Sequence, residues 1–261
     1  MGFTGASERK KNADTMRYYI DMHNHIIPRV DDGSNSMDES MALIDMEYKE
    51  GVRKLICTPH YIRNRNNYDY DRLESVFEKL KAKVVERYPD MELYLGNEVL
   101  CENGIIDDIR NGRLIHTMAG SRYVLFEFNI RIPYHELYEM MRAMVELRVF
   151  PIIAHVERYQ ALIGRLDRIE ELKGLGIYLQ VNADSIEGGF FDDKTRWVRK
   201  LIIGGYIEFV STDCHDTDSR SPSINKAAEW VRKKCGLDVA EALFGVNADI
   251  IIKNKYIEIA N

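Results

Sequence analysis

The sequence predicts an α/β barrel of about seven parallel βα units, and three observations carry that expectation. Seven short runs rich in β-branched and aromatic residues recur along the 261-residue chain, most followed by an amphipathic stretch at helical spacing. That alternation implies a parallel sheet covered by helices. No dinucleotide-binding glycine pattern follows the first run, which leaves a Rossmann sheet with little support. Finally, five of the seven histidines stand just past a strand end, where parallel α/β folds place their chemistry.

The strands are expected at 18–22 (YYIDM), 54–58 (KLICT), 92–96 (ELYLG), 123–128 (YVLFEF), 150–154 (FPIIA), 177–181 (IYLQV) and 207–211 (IEFVS). Helical patterns cover 37–51, 68–88, 133–148, 194–205 and 223–236. The first of these ends on Gly51, a residue suited to a helix C-cap. Met140, Met141 and Met144 read as core packing on the third helix, and Trp197 and Trp230 as packing on the last two. The tail FGVNADIIIKNK (244–255) is expected to pack on the barrel.

Composition bounds the function. A chain that is 45% hydrophobic and 30% charged can bury a sizeable core. Its net charge of −6 argues against nucleic acid or an anionic membrane surface as partner. No apolar run approaches the ~20 residues that a membrane helix needs, so no membrane insertion is expected. Residues 1–15 are polar and lack an apolar signal core; they read as a disordered leader, with Met16 as an alternative start and 16–261 as one domain. Cys57, Cys101, Cys214 and Cys235 form no CxxC pair and no disulfide framework, which points to a reducing, cytoplasmic compartment.

The polar residues past each strand are the candidate site. His23, His25, Asp31 and Asp32 follow the first strand, His60 the second and Glu98 the third; Glu127 stands in the fourth. His155 follows the fifth, and Asp213 and His215 the seventh, whereas His116 and His135 stand elsewhere. Imidazole and carboxylate together suit borderline and hard divalent cations. His-x-His on an extended backbone aims both rings to one side, because side chains alternate with period two. The set is too large for one tetrahedral site and suits two or three ions bridged by carboxylates. Glu127, at a strand end in an apolar setting, is the expected bridge.

DMHNHIIPRVDDG, TPH, GNE, FEF, AHVERY and STDCHD, in this order, resemble the polymerase-and-histidinol-phosphatase (PHP) superfamily. More narrowly, they resemble the bacterial manganese-dependent protein-tyrosine phosphatases of capsule and exopolysaccharide loci. The resemblance runs from about Tyr18 to the end and implies a distorted (β/α)7 barrel of the PHP type. It implies a trinuclear centre held by His23, His25, Asp32, His60, Glu98, Glu127, His155, Asp213 and His215, with Asp32 preferred to Asp31 because it precedes the glycine. Mn²⁺ is the implied metal, with Fe, Zn or Mg as alternatives.

The implied activity is hydrolysis of phosphotyrosine on a protein, foremost a tyrosine kinase that controls polysaccharide export. Arg158 and Arg220 are implied as phosphate-binding catalytic residues, and a guanidinium fork suits phosphate oxygens. Arg63 and Arg65 read as solvated surface residues. Two competing readings are a small-molecule phosphatase, with histidinol phosphate as first candidate, and a non-catalytic PHP binding module. The intact ligand set argues against the last. A Cys-x5-Arg spacing occurs twice, at Cys57–Arg63 and Cys214–Arg220. Neither loop has the glycines that wrap backbone N–H groups around phosphate, so neither thiol reads as a nucleophile.

Overall fold

A computed structural model describes residues 18–63, 69–112, 116–189 and 192–257; the leader 1–15 and Arg65 lie outside the described residues. Every strand pairing is parallel. β1 (Tyr19–Asp21) pairs with β2 (Val52–Cys57), and β2 pairs with a strand at Glu92–Leu95. The second strand then breaks at Thr58–Pro59 and resumes as β3 (His60–Tyr61). The third breaks at Gly96–Asn97, so that β4 (Glu92–Leu95) resumes as β5 (Glu98–Leu100). Among the described residues, nine short strands thus follow the seven paths expected of the sequence.

The two breaks lie side by side and have a cause. Pro59 offers no N–H to a ladder. Its carbonyl instead accepts from the Glu98 N–H at 3.2 Å and from Asn97 Nδ2 at 2.9 Å. His60 then stands opposite Glu98 in register. Beyond β5 the sheet continues through β6 (Tyr123–Glu127), β7 (Phe150–Ile153), β8 (Tyr178–Asn182) and β9 (Phe209–Ser211). It then curls back on itself. Asn24 and Cys214 form a parallel bridge, the His25 N–H donates to Cys214 O at 2.9 Å, and the Asp213 N–H donates to His23 O at 2.8 Å.

Helices cover the outside. The five expected ones appear at Met37–Glu50, Tyr70–Arg87, Tyr134–Glu146, Asp193–Ile203 and Asn225–Cys235. The first has Ser36 as N-cap, accepting from the Glu39 N–H, and ends on Gly51 at φ +94°, as its sequence signals predict. Others were not legible, such as Leu166–Gly174, which buries only Ile169 and Leu172 and so carries a faint apolar stripe.

The strands bury both faces, as covered parallel sheets do. Leu55, Val99, Phe126, Ile153 and Leu179 face the helices. Ile20, Ile56, Leu125, Ile152, Tyr178 and Phe209 fill the barrel interior. Its floor is closed by the tail, where the helix Asn247–Ile252 inserts Ala248 and Ile251. Tyr123 and Tyr178 lock that tail: their hydroxyls donate to Lys255 O at 3.0 Å and Ile257 O at 2.9 Å. No helix among the described residues is long and apolar enough to cross a membrane. Because Ile251 is fully buried on this floor, Ile251→Ala is expected to destabilise the protein by about 2–5 kcal/mol, read from the midpoint of urea unfolding.

Candidate metal centre

The wall above that apolar floor turns polar at once. His23 and His25 leave β1 on an extended backbone, and their ring centroids lie 5.5 Å apart. His25 also lies 4.5 Å from the His60 ring and 3.9 Å from the His215 ring, and His23 lies 5.7 Å from the His155 ring. Glu98 stands at the middle. Its Oε2 is 3.2 Å from His23 Nε2, 3.2 Å from His25 Nε2 and 3.1 Å from His60 Nδ1. Its Oε1 is 2.8 Å from His155 Nε2. Asp213 Oδ1 approaches His23 Nε2 at 3.4 Å and His25 Nε2 at 3.5 Å. Asp32, more exposed, faces His60 Nε2 at 3.4 Å and His215 Nε2 at 3.6 Å. Glu127 sits on the rim, 3.7 Å from both His60 Nδ1 and His155 Nε2. All nine residues singled out from the sequence therefore converge.

Eight of them, all but His155, group into three overlapping sets: His25–Asp32–His60–His215, His23–His25–Glu98–Asp213 and His60–Glu98–Glu127. In each, one atom per residue lies within 4.8 Å of the others. Glu98 belongs to two sets, so its geometry suits a bridge better than that of Glu127, the residue expected from the sequence. The reason is the strand break, which turns Glu98 inward opposite His60, whereas Glu127 ends its strand at the opening.

The site's polar atoms fit a cation. His23 Nε2, His25 Nε2, His60 Nδ1 and His215 Nε2 are buried without a hydrogen-bond partner. An unsatisfied buried polar atom is costly, and four aimed at one carboxylate cluster suit the lone-pair demand of divalent ions. The charge balance agrees. Burial pushes Glu98 toward neutrality, but His23 and His155 hold its carboxyl well below the usual range. Burial likewise pushes His25 down, yet Asp31 and Glu98 raise it well above the ordinary imidazole value. Burial and the adjacent Glu98 charge raise Glu127.

A ring of further side chains orients these groups. Asp31 is not among the converging atoms; its Oδ2 accepts from His25 Nδ1 at 2.7 Å, which fixes that ring, and from the His60 backbone N–H at 3.0 Å, which ties the two segments together. Gly33 is required beside it, because a Cβ there would lie 2.1 Å from His25 O. Gln180 Oε1 meets His23 Nδ1 at 3.3 Å and accepts from the His155 N–H at 2.7 Å. Tyr159 OH lies 3.4 Å from His155 Nδ1. His155 and Asp213 have φ of +32° and +54°, a left-handed backbone that non-glycine residues hold only when their surroundings enforce it. Gln180 was missed in the sequence; a lone amide inside an apolar strand was the available signal.

Arg158 and Arg220 come from separate loops onto one atom. Their Nη2 groups donate to Asp213 Oδ2 at 2.7 and 3.1 Å, and Asn182 Nδ2 joins them at 2.8 Å. Each arginine side chain remains more than a third exposed and keeps donors for a ligand. Arg63 is not simply solvated: it donates to Asp108 Oδ2 at 2.5 Å. Cys57 and Cys214 are buried, and burial pushes both thiols up, away from the thiolate that a nucleophile needs.

The sequence profile of the family described as Capsular polysaccharide synthesis, CpsB/CapC, matches residues 19–253. The tyrosine-protein phosphatase CpsB of Streptococcus pneumoniae is 30% identical over 243 residues, covering 91% of this chain and 100% of its own length. The putative tyrosine-protein phosphatase CapC of Staphylococcus aureus is 31% identical over 202 residues, 77% of this chain and 78% of its own. A solved structure described as YwqE from Bacillus subtilis and CpsB from Streptococcus pneumoniae, "unique metal-dependent tyrosine phosphatases", has a TM-score of 0.84 at 22% identity. It covers 92% of this chain and 96% of that one. The fold is thus the distorted (β/α)7 barrel of the PHP type that the sequence predicts.

If Glu98 is central, Glu98→Gln should empty more than one metal position, and Glu127→Gln a single position at most. Elemental analysis after dialysis reads both as ions per chain. Wild-type metal content in Glu98→Gln would return the bridge to Glu127.

Proposed function

We propose that this chain, which belongs to the CpsB/CapC family of capsular polysaccharide synthesis proteins, is a metal-dependent phosphatase that removes phosphate from tyrosine on a protein. The observation that carries the metal dependence is the set of four buried imidazole nitrogens without partners, three aimed at Glu98 and the fourth, His215 Nε2, at Asp32. The substrate class rests on the relatives, which are named tyrosine-protein phosphatases. Within that class the reading extends to a tyrosine kinase controlling polysaccharide export as the protein substrate. It extends also to Mn²⁺, with Fe, Zn or Mg as alternatives. Four free cysteines, three of them buried, support a reducing, cytoplasmic setting.

The ligands would be His23, His25, Asp32, His60, Glu98, Glu127, His155, Asp213 and His215. When bound, divalent ions supply an activated water and stabilise the attacking and leaving oxygens of an in-line displacement. The chain's own residues do the rest. Arg158 and Arg220 bind the phosphoryl oxygens with the donors that Asp213 leaves free, and Asp213 holds both guanidiniums beside the reacting group. Asp31, Gln180 and Tyr159 keep the imidazoles at fixed angles, so no reorientation is needed when charge shifts.

Chelation should abolish hydrolysis and added Mn²⁺ should restore it. Cys57→Ser and Cys214→Ser should keep most of the rate, apart from any folding cost. A parallel assay on phosphotyrosine peptide, phosphoserine peptide and histidinol phosphate tests the substrate class; preference for histidinol phosphate would overturn it. Arg158→Ala and Arg220→Ala should each lower kcat on the order of 10²–10³, by analogy with other transition-state donors. Each should keep its metal, because the other arginine and Asn182 still hold Asp213 Oδ2. Wild-type turnover in both variants would remove them from the phosphate pocket.

A further inference from the structure

The two arginines reach Asp213 by different means. Arg158 ends a tight turn, its N–H donating to His155 O at 2.9 Å. Arg220 ends the longer excursion DTDSR, which leaves the barrel after His215 and has to come back. One side chain brings it back. Asp216 Oδ1 accepts from the Asp218 N–H at 2.8 Å and from the Arg220 N–H at 3.0 Å, while its Oδ2 accepts from Ser219 Oγ at 3.0 Å. The loop is then tied to its own start, since the His215 N–H donates to Arg220 O at 2.9 Å. Three exposed residues, Thr217, Asp218 and Ser219, make up the turn itself. Asp216 thus supplies the side-chain acceptors that gather the turn, as aspartate and asparagine do in local backbone-capping loops.

We infer that Asp216 is the positioning residue for the phosphate-binding Arg220, setting its reach by closing the 216–220 loop without touching substrate or metal. The inference rests on the phosphatase reading above, in which Arg220 grips phosphate. What the loop requires of residue 216 is an acceptor at fixed range, and not a negative charge. An asparagine carbonyl can take the place of Oδ1, whereas alanine leaves the Asp218 and Arg220 amides to water. Because the loop acts through Arg220 alone, removing that arginine should remove the reason for Asp216.

The test is a double-mutant cycle on the full chain with its metals bound, using p-nitrophenyl phosphate turnover and inorganic phosphate affinity. Asp216→Ala should lower kcat/KM and weaken phosphate binding by about 10-fold, the low end of the loss seen when an orienting partner is removed. Asp216→Asn should stay within about threefold of wild type, metal content should not change, and in an Arg220→Ala background Asp216→Ala should cost almost nothing further. An equal loss with and without Arg220, or an asparagine variant as poor as alanine, overturns the assignment. Should the wild type ignore phosphotyrosine peptides yet show this pattern with inorganic phosphate, the protein-substrate reading fails and the loop assignment stands.

Discussion

The site depends on one carboxylate with two faces. Asp213 turns Oδ1 toward the buried imidazoles and Oδ2 toward three donors from other loops. A buried carboxylate with so many partners stays ionised; burial pushes its pKa up, and the charges of His23 and Arg158 overcome it. That charge offsets the mutual repulsion of the two arginines that share it. It also couples the two halves of the chemistry, because the residue that would hold metal is the residue that aims the phosphate donors.

Around Asp213 the backbone is built for position and not for comfort. Its left-handed φ is held from both sides in sequence: the Thr212 N–H and Oγ1 donate to Asp21 at 3.0 and 2.7 Å, and Cys214 O accepts from His25. Glu47, on the first helix, completes this arrangement below the site; its Oε1 lies 3.3 Å from Thr212 Oγ1 and 3.6 Å from Cys214 Sγ. Burial and the neighbouring Asp21 charge raise Glu47 well above an ordinary carboxyl. Cys214 is accordingly a packing neighbour of this pair, in keeping with its place next to a candidate ligand in sequence.

Much of this was legible in the sequence because strand ends and histidines carry strong local signals. His23-x-His25, Asp213-x-His215 and the residues past each strand converge as their spacing predicts. The centre of gravity did not follow from spacing. Glu98 and Glu127 look alike in sequence, each an acid beside an apolar run, and only the break at Pro59 and Gly96 tells which one turns inward. The orienting roles of Gln180 and Asp31 were hidden for a related reason: such a residue is defined by the partner it faces, and Gln180 faces His23 and His155 from another strand, while Asp31 joins nearby His25 to the more distant His60. The short helices escaped because their apolar stripes are too narrow to stand out from a polar background.

The seam between the first and last strands has a kinetic meaning. The Met22 N–H donates to Ser211 Oγ at a sequence separation of 189, and pairings of such separation are slow to form, since a long loop must be ordered before the contact rewards it. His23 and His25 stand on one lip of that seam, and Asp213 and His215 on the other. The two lips meet only when the circle of strands is closed, so a complete pocket exists only in the closed barrel.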